Sequence, residues 1–262
     1  MSRYRSVPLQ RRWINDVFHF GKKMHTVGCN WQLNVAPALA ARAERQPVIS
    51  WTAMWMKALA LVAQRRPVLR TIYRHFPWAH LYVHPDSNCA IAVERSWNGE
   101  PAVFFEVIQK TETIPLTRLD SILRELKQAP VESIESFRLI IAVARLPVLV
   151  RRFLWHFVMF WGPGRFTAEL MGTMGLNPFP TGGTITQTAS PIPFAFFIGL
   201  VEPNGDTRIQ FVFDHRLIDG AEAYRLLREV EATMNREIVA ELKASAQDPE
   251  TQPAPAGEAK RQ

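Results

Sequence analysis

The run FVFDHRLIDGAEAYRLL, residues 211–227, sets His215 between an apolar strand and the first turn of a helix, with Asp219-Gly220 close behind. An imidazole titrates near neutral pH, so a histidine placed like this is a candidate general base. Period-two alternation puts Ile209, Phe211, Phe213 and His215 on one face of the strand, and Arg208, Gln210, Val212 and Asp214 on the other. On the apolar face, desolvation would disfavour the imidazolium and keep His215 ready to accept a proton. Asp219 to Glu222 has the form of a capping run, opening a helix whose buried stripe is expected to hold Ala223, Tyr224, Leu227, Val230 and Met234. Spacing alone leaves a second account open, in which the histidine ends a strand and the aspartate only caps a helix.

The elements that must position this turn are legible as alternating helical and extended patterns. FAFFIGLVE and TRIQFVFDH read as two strands joined by Pro203-Asn204-Gly205-Asp206, a hairpin signal. PLQRRWINDVFHFGKKM has helical spacing at Trp13, Val17 and Phe20, and VGCNWQLNVAP alternates Trp31, Leu33 and Val35 as a strand does. SWTAMWMKALALVAQRRP reads as a helix capped by Ser50 and stopped by Pro67. HLYVH, NCAIAVE and AVFFEVI read as an antiparallel meander, with turns at 85–87 and at Asn98-Gly99, and PLTRLDSILRELKQAP as a helix closed by Pro130. The stretch from Ala244 lacks large apolar residues, which predicts one domain over 1–243 and a disordered tail over 244–262.

Bulk properties narrow the partners. The formal net charge of +7 favours phosphates, CoA-like nucleotides, acidic carriers or membrane surfaces. Basic residues scattered through helices and loops do not make a nucleic-acid stripe, so no nucleic-acid partner is expected. Cys29 and Cys89 are far apart, without a C-x-x-C, and read as two reduced buried thiols; no metal site is expected. The N-terminal residues have charge but no apolar stretch behind them, so the sequence reads as cytoplasmic. No G-x-S-x-G, Walker loop, G-x-G-x-x-G or H-E-x-x-H occurs, which leaves serine hydrolysis, nucleotide hydrolysis, Rossmann cofactors and zinc proteolysis without sequence support.

His215-Arg216-Leu217-Ile218-Asp219-Gly220, with Asp214 before it, resembles the H-x-x-x-D-G signature of the chloramphenicol acetyltransferase superfamily. Its form is similar to that of the catalytic domain of the dihydrolipoamide acyltransferase component of 2-oxoacid dehydrogenase complexes. VPLQRRW, ISWTAMWMKALALVAQRRPVLR, GTMGLN and ASPIPFAFFIGLVE extend the resemblance from residue 7 to about 240, although only the histidine motif is specific. The resemblance implies an α/β two-layer sandwich with a mixed β-sheet packed by helices, and a homotrimer with active sites between subunits. It implies direct acyl transfer, with His215 removing a proton from a thiol, hydroxyl or amine acceptor as that acceptor attacks a thioester. No tightly bound cofactor is implied; acyl-CoA or a lipoyl thioester would be the co-substrate. Asp219 would support the site through Arg11 or Arg12.

Two departures from the pattern matter. The family's oxyanion donor is a serine or threonine hydroxyl, and matching GTMGLNPF to its strand puts Asn177 there, with Thr173 or Thr184 in a shifted register. A carboxamide also donates, so chemistry survives the change, although Asn177 before Pro178 also suits an ordinary turn. The catalytic resemblance begins within ten residues of the start, leaving no room for a lipoyl domain before it, which favours a free-standing enzyme. The competing reading is a non-catalytic assembly or binding module that keeps the fold.

Residues 137–166, FRLIIAVARLPVLVRRFLWHFVMFWGPGRF, are apolar but interrupted by Arg138, Arg145, Arg151, Arg152 and Pro147, which argues against a bilayer-spanning helix. Core or subunit-interface helices are one expectation. The other is peripheral membrane contact, with Trp155, Phe157, Phe160 and Trp161 in the headgroup boundary, Arg151 and Arg152 on anionic lipid, and a lipid as acceptor.

Overall fold

A computed structural model describes residues 7–179 and 189–247. Helix α1 (Leu9–Gly21) leads into strand β1 (Thr26–Asn34), a short helix α2 (Ala36–Ala43) and helix α3 (Trp51–Arg65). Strands β2 (Thr71–Arg74), β3 (His80–Val83), β4 (Cys89–Trp97) and β5 (Glu100–Ile108) follow, then helices α4 (Leu116–Gln128), α5 (Glu135–Arg145), α6 (Val148–His156) and α7 (Gly164–Met171). Strands β6 (Met174–Pro178), β7 (Phe194–Val201) and β8 (Asp206–Asp214) precede helices α8 (Gly220–Thr233) and α9 (Val239–Gln247).

The main sheet has six strands in the order β1-β8-β7-β6-β4-β5. It is mixed: β6 runs parallel to both β4 and β7, and the remaining pairs are antiparallel. The expected α/β sandwich with a mixed sheet is therefore present. Helix α3 is the centre of the helical layer; Ser50 caps it by accepting from the Ala53 N–H at 3.3 Å. Eleven of its residues are buried, and even Lys57 turns inward to donate from Nζ to the carbonyls of Glu112 and Ile114, both at 2.7 Å. Phe194, Phe196, Phe211 and Phe213 meet this layer from β7 and β8, with the Phe196 and Phe211 rings stacked at 4.3 Å.

The β7–β8 hairpin forms as its Asn-Gly signal implies. Gly205 has φ +85° and lies so close to Ala36 that a Cβ there would stand 2.5 Å from the Ala36 backbone, while its carbonyl accepts the Val35 N–H at 2.8 Å. Other expectations are corrected. The predicted meander is a β4–β5 hairpin only; β3 pairs with β2 in a separate two-stranded sheet, because β2 supplies a nearer antiparallel partner. Both faces of β8 are buried, Gln210, Val212 and Asp214 included, since the residues before β7 cover the second face. Tyr224 is exposed, its ring beside Trp31 rather than in the α8 stripe, and Leu226 takes the inner position. Helix α9 continues to Gln247, past the predicted tail boundary at Ala244; the rest of that tail lies outside the described residues.

The 137–166 segment is three helices, broken at Pro147 and Pro163, with a π-helical turn over Phe157–Trp161. Arg151 is buried and forms an ion pair with Asp16 of α1, Nε to Oδ2 at 2.5 Å, which corrects its expected role on lipid. Trp155 is likewise buried, against Val17, Phe20 and Met159. Among the described residues no helix is long and apolar enough to cross a membrane.

Candidate active site

Strand β8 ends at Asp214, whose side chain is wholly buried and whose main-chain carbonyl accepts the Leu217 N–H at 3.0 Å, closing a turn. The Asp214 carboxylate accepts from Arg216 three ways: the backbone N–H at 3.0 Å, Nε at 2.9 Å and Nη2 at 2.5 Å. These charge-assisted bonds lock the two residues flanking His215 to one another. His215 itself is held by its backbone N–H, which donates to the His25 carbonyl at 2.9 Å, just before β1. Its ring therefore projects outward and is exposed, 5.9 Å from the Phe213 ring. This corrects the expected desolvated imidazole: strand alternation stops at Asp214, and the turn carries the histidine away from the phenylalanine core.

Arg216 reaches further than the sequence suggested. Its guanidinium lies 4.2 Å over the Tyr73 ring, and Nη1 stands 3.0 Å from His75 Nε2. A guanidinium only donates, so His75 Nε2 accepts and carries no proton. The His75 pKa is lowered, first by desolvation and then by Arg216, with His25 and Arg74 acting in the same direction. Tyr73, His75 and Arg216 line a cavity of about 10 Å³ with Met24, Phe160 and Met171, room for one water and too small for a substrate. The exposed side of His215 is the one open to a substrate-sized molecule.

Asp219 caps α8, accepting the Glu222 N–H at 2.8 Å. The reciprocal half of a capping box is absent because the Glu222 carboxylate pairs with Arg225 at 2.5 Å. Among the described residues no ion pair joins Asp219 to Arg11 or Arg12; the Arg12 Nε donates to the Val7 carbonyl at 3.2 Å instead. The acid that fixes α1 is Asp16, through Arg151.

Asn177 lies on β6, partly buried, opposite Phe197 of β7, which in turn faces Gln210 of β8. Gln210 precedes His215 by about 17 Å of extended chain, and β6 is two strands, about 10 Å, from β8. One chain therefore does not bring Asn177 and His215 together. Thr173 is fully buried, its Oγ1 accepting from the Asn88 N–H at 3.2 Å and donating to the Asn88 carbonyl at 3.1 Å, so it is committed to structure. Thr184 lies outside the described residues. Both cysteines are free; Cys89 is buried and its thiol pushed up to about 12 by desolvation, whereas Cys29 is only half-buried, contrary to expectation.

The sequence matches no family model and no curated protein. Solved structures with the same architecture do exist. A dihydrolipoamide acetyltransferase of Azotobacter vinelandii is similar over 92% of this chain and 95% of its own, with TM-score 0.66 and 15% identity. The truncated catalytic core of the 2-oxoacid dehydrogenase multienzyme complex from Thermoplasma acidophilum is similar over 90% and 99%, with TM-score 0.61 and 16% identity. A probable dihydrolipoamide acetyltransferase from Listeria monocytogenes is similar over 95% and 97%, with TM-score 0.59 and 12% identity. The mixed sheet and the helical layer thus belong to the fold of the dihydrolipoamide acetyltransferase catalytic cores.

Proposed function

We propose that this chain is an acyltransferase that moves an acyl group from a thioester, acyl-CoA or a carrier-borne lipoyl thioester, to a thiol, hydroxyl or amine. The observation that carries the reading is His215, exposed on a turn locked by the Asp214–Arg216 pair, in a fold shared with acetyltransferase cores. In the proposed reaction His215 takes the proton of the acceptor as its heteroatom attacks the thioester carbonyl. The tetrahedral intermediate then collapses, the carbon–sulfur bond breaks, and the proton passes to the departing thiolate. Asn177 Nδ2 of a neighbouring subunit is proposed to donate to the oxyanion, a role consistent with its distance from His215 within one chain. In this proposal the protein works as a homotrimer with the site between subunits, in the cytoplasm.

The test is turnover against a panel of acyl-CoAs with candidate acceptors. His215→Ala should lose about a hundredfold or more while keeping its melting temperature, as loss of a general base requires. Equal turnover in the mutant refutes the assignment. Absence of thioester consumption with any donor in wild-type protein favours the non-catalytic binding module, a reading that the missing hydroxyl donor supports.

A further inference from the structure

The side of α6 that faces away from the protein is apolar along its whole length. Leu149, Phe153, Phe157 and Trp161, four residues apart on α6 and the π turn, are 78%, 59%, 41% and 50% exposed. The buried Asp16–Arg151 ion pair and the packing of Trp155 on Phe20 fix the opposite side of α6 to α1, so the ridge cannot roll inward. Its surroundings are basic. No Asp or Glu occurs from Ser136 to Ala168, a stretch that holds the exposed Arg138, Arg145 and Arg152; Arg151 and Arg165 in the same stretch are paired, with Asp16 and Glu169. At the end of α1 the His19 pKa is lowered by desolvation first and then by Arg152 and Lys23, with Lys22 acting in the same direction and Asp16 opposing.

We infer that this ridge is a docking surface for an anionic lipid bilayer. Three features choose lipid over a protein partner. The apolar surface is a convex ridge, which acyl chains accommodate and which a folded partner would have to match with a hollow. The flank carries the exposed arginines Arg138, Arg145 and Arg152, which complement an anionic headgroup layer. The aromatic residues at the end of the ridge, Phe157 and Trp161, are of the type that sits at the headgroup level. The inference does not depend on acyl transfer, and its readout is independent of it.

The experiment is co-sedimentation of the full chain with vesicles of phosphatidylglycerol and phosphatidylcholine, against phosphatidylcholine alone, at low and high salt. Binding should require phosphatidylglycerol and weaken with salt. Leu149→Ser/Phe153→Ser should abolish it, and Arg152→Glu should weaken it about tenfold or more, since each basic residue near such a surface is worth about fivefold. All substituted side chains are exposed, so circular dichroism should be unchanged. Protein that stays in the supernatant, or binding that ignores these substitutions or the lipid charge, overturns the proposal. A change of oligomeric state in the Leu149→Ser/Phe153→Ser variant, read by analytical ultracentrifugation, assigns the ridge to a second copy and overturns it as well.

Discussion

His75 and Arg216 can share a hydrogen bond only while the imidazole is neutral, because the guanidinium is a permanent cation that can only donate. The His75 and His19 pKa values are both lowered in the folded chain, so the unfolded chain takes up protons first as the solution is acidified. The sign follows from linkage: stability is constant while both states are neutral, then falls as pH drops below about 6.5 and on through the folded values. Melting temperature measured from pH 7.5 to 5 should decline, and the decline should be shallower in His75→Gln; equal slopes would show that the pair does not titrate. At the same scale, Cys29 should react with a thiol reagent in native protein well before Cys89, whose thiol is buried and pushed up to about 12, and mass spectrometry of the labelled peptides reads the order. His215 was readable from sequence because its motif is contiguous. Tyr73 and His75 were not, since the His75 contact with Arg216 spans 141 positions and only the tertiary fold brings the end of β2, in its own small sheet, to the end of β8.

Helices α1 and α6 illustrate what patterning conveys and what it omits. The spacing of Trp13, Val17 and Phe20 marked the buried side of α1 correctly, with Trp13 partly and the other two fully covered. The same logic placed Arg151 on the surface, because a charge next to Arg152 reads as solvated; its burial depends on Asp16, 135 residues earlier. Asp16→Ala should destabilise the chain by about 3–5 kcal/mol by leaving Arg151 buried and unpaired, and Asp16→Leu/Arg151→Met should recover much of that loss, as denaturant unfolding will measure. Asp219 is an N-cap that forms no ion pair among the described residues, so Asp219→Asn should leave the melting temperature nearly unchanged, while Asp219→Ala should cost about 1 kcal/mol. If Asp219→Asn abolishes turnover at full stability, the carboxylate takes part in proton transfer. Helix α2 gave little signal in sequence: eight residues rich in alanine, buried only at Ala38 and Ala41, are too short to establish a period.

At the scale of the whole molecule, the strand order was beyond sequence reasoning. Local patterns show that β4 and β5, and β7 and β8, form hairpins, but the insertion of β6 in parallel between them depends on a connection of 65 residues, 109–173, through α4 to α7. That insertion also separates Asn177 from His215, which makes a subunit-spanning site testable by mixing. Inactive His215→Ala and inactive Asn177→Ala chains, unfolded together and reassembled in equal amounts, should regain about a quarter of wild-type turnover, because that share of interfaces joins an intact histidine to an intact asparagine. No recovery would place both residues' roles within one chain. The π turn over Phe157–Trp161 joins the outer ridge to the interior: Phe157 and Trp161 are exposed, while Phe160 lines the small cavity with His75 and Arg216. The Gly162 N–H closes this turn on the Phe157 carbonyl at 2.6 Å, one residue wider than an α-helical turn. The helix ends on this turn, because Gly162 is extended and Pro163 opens α7. Phe160 and Trp161, consecutive residues of one wide turn, thus tie the exposed ridge and the lining of the Arg216 cavity to a single stretch of backbone.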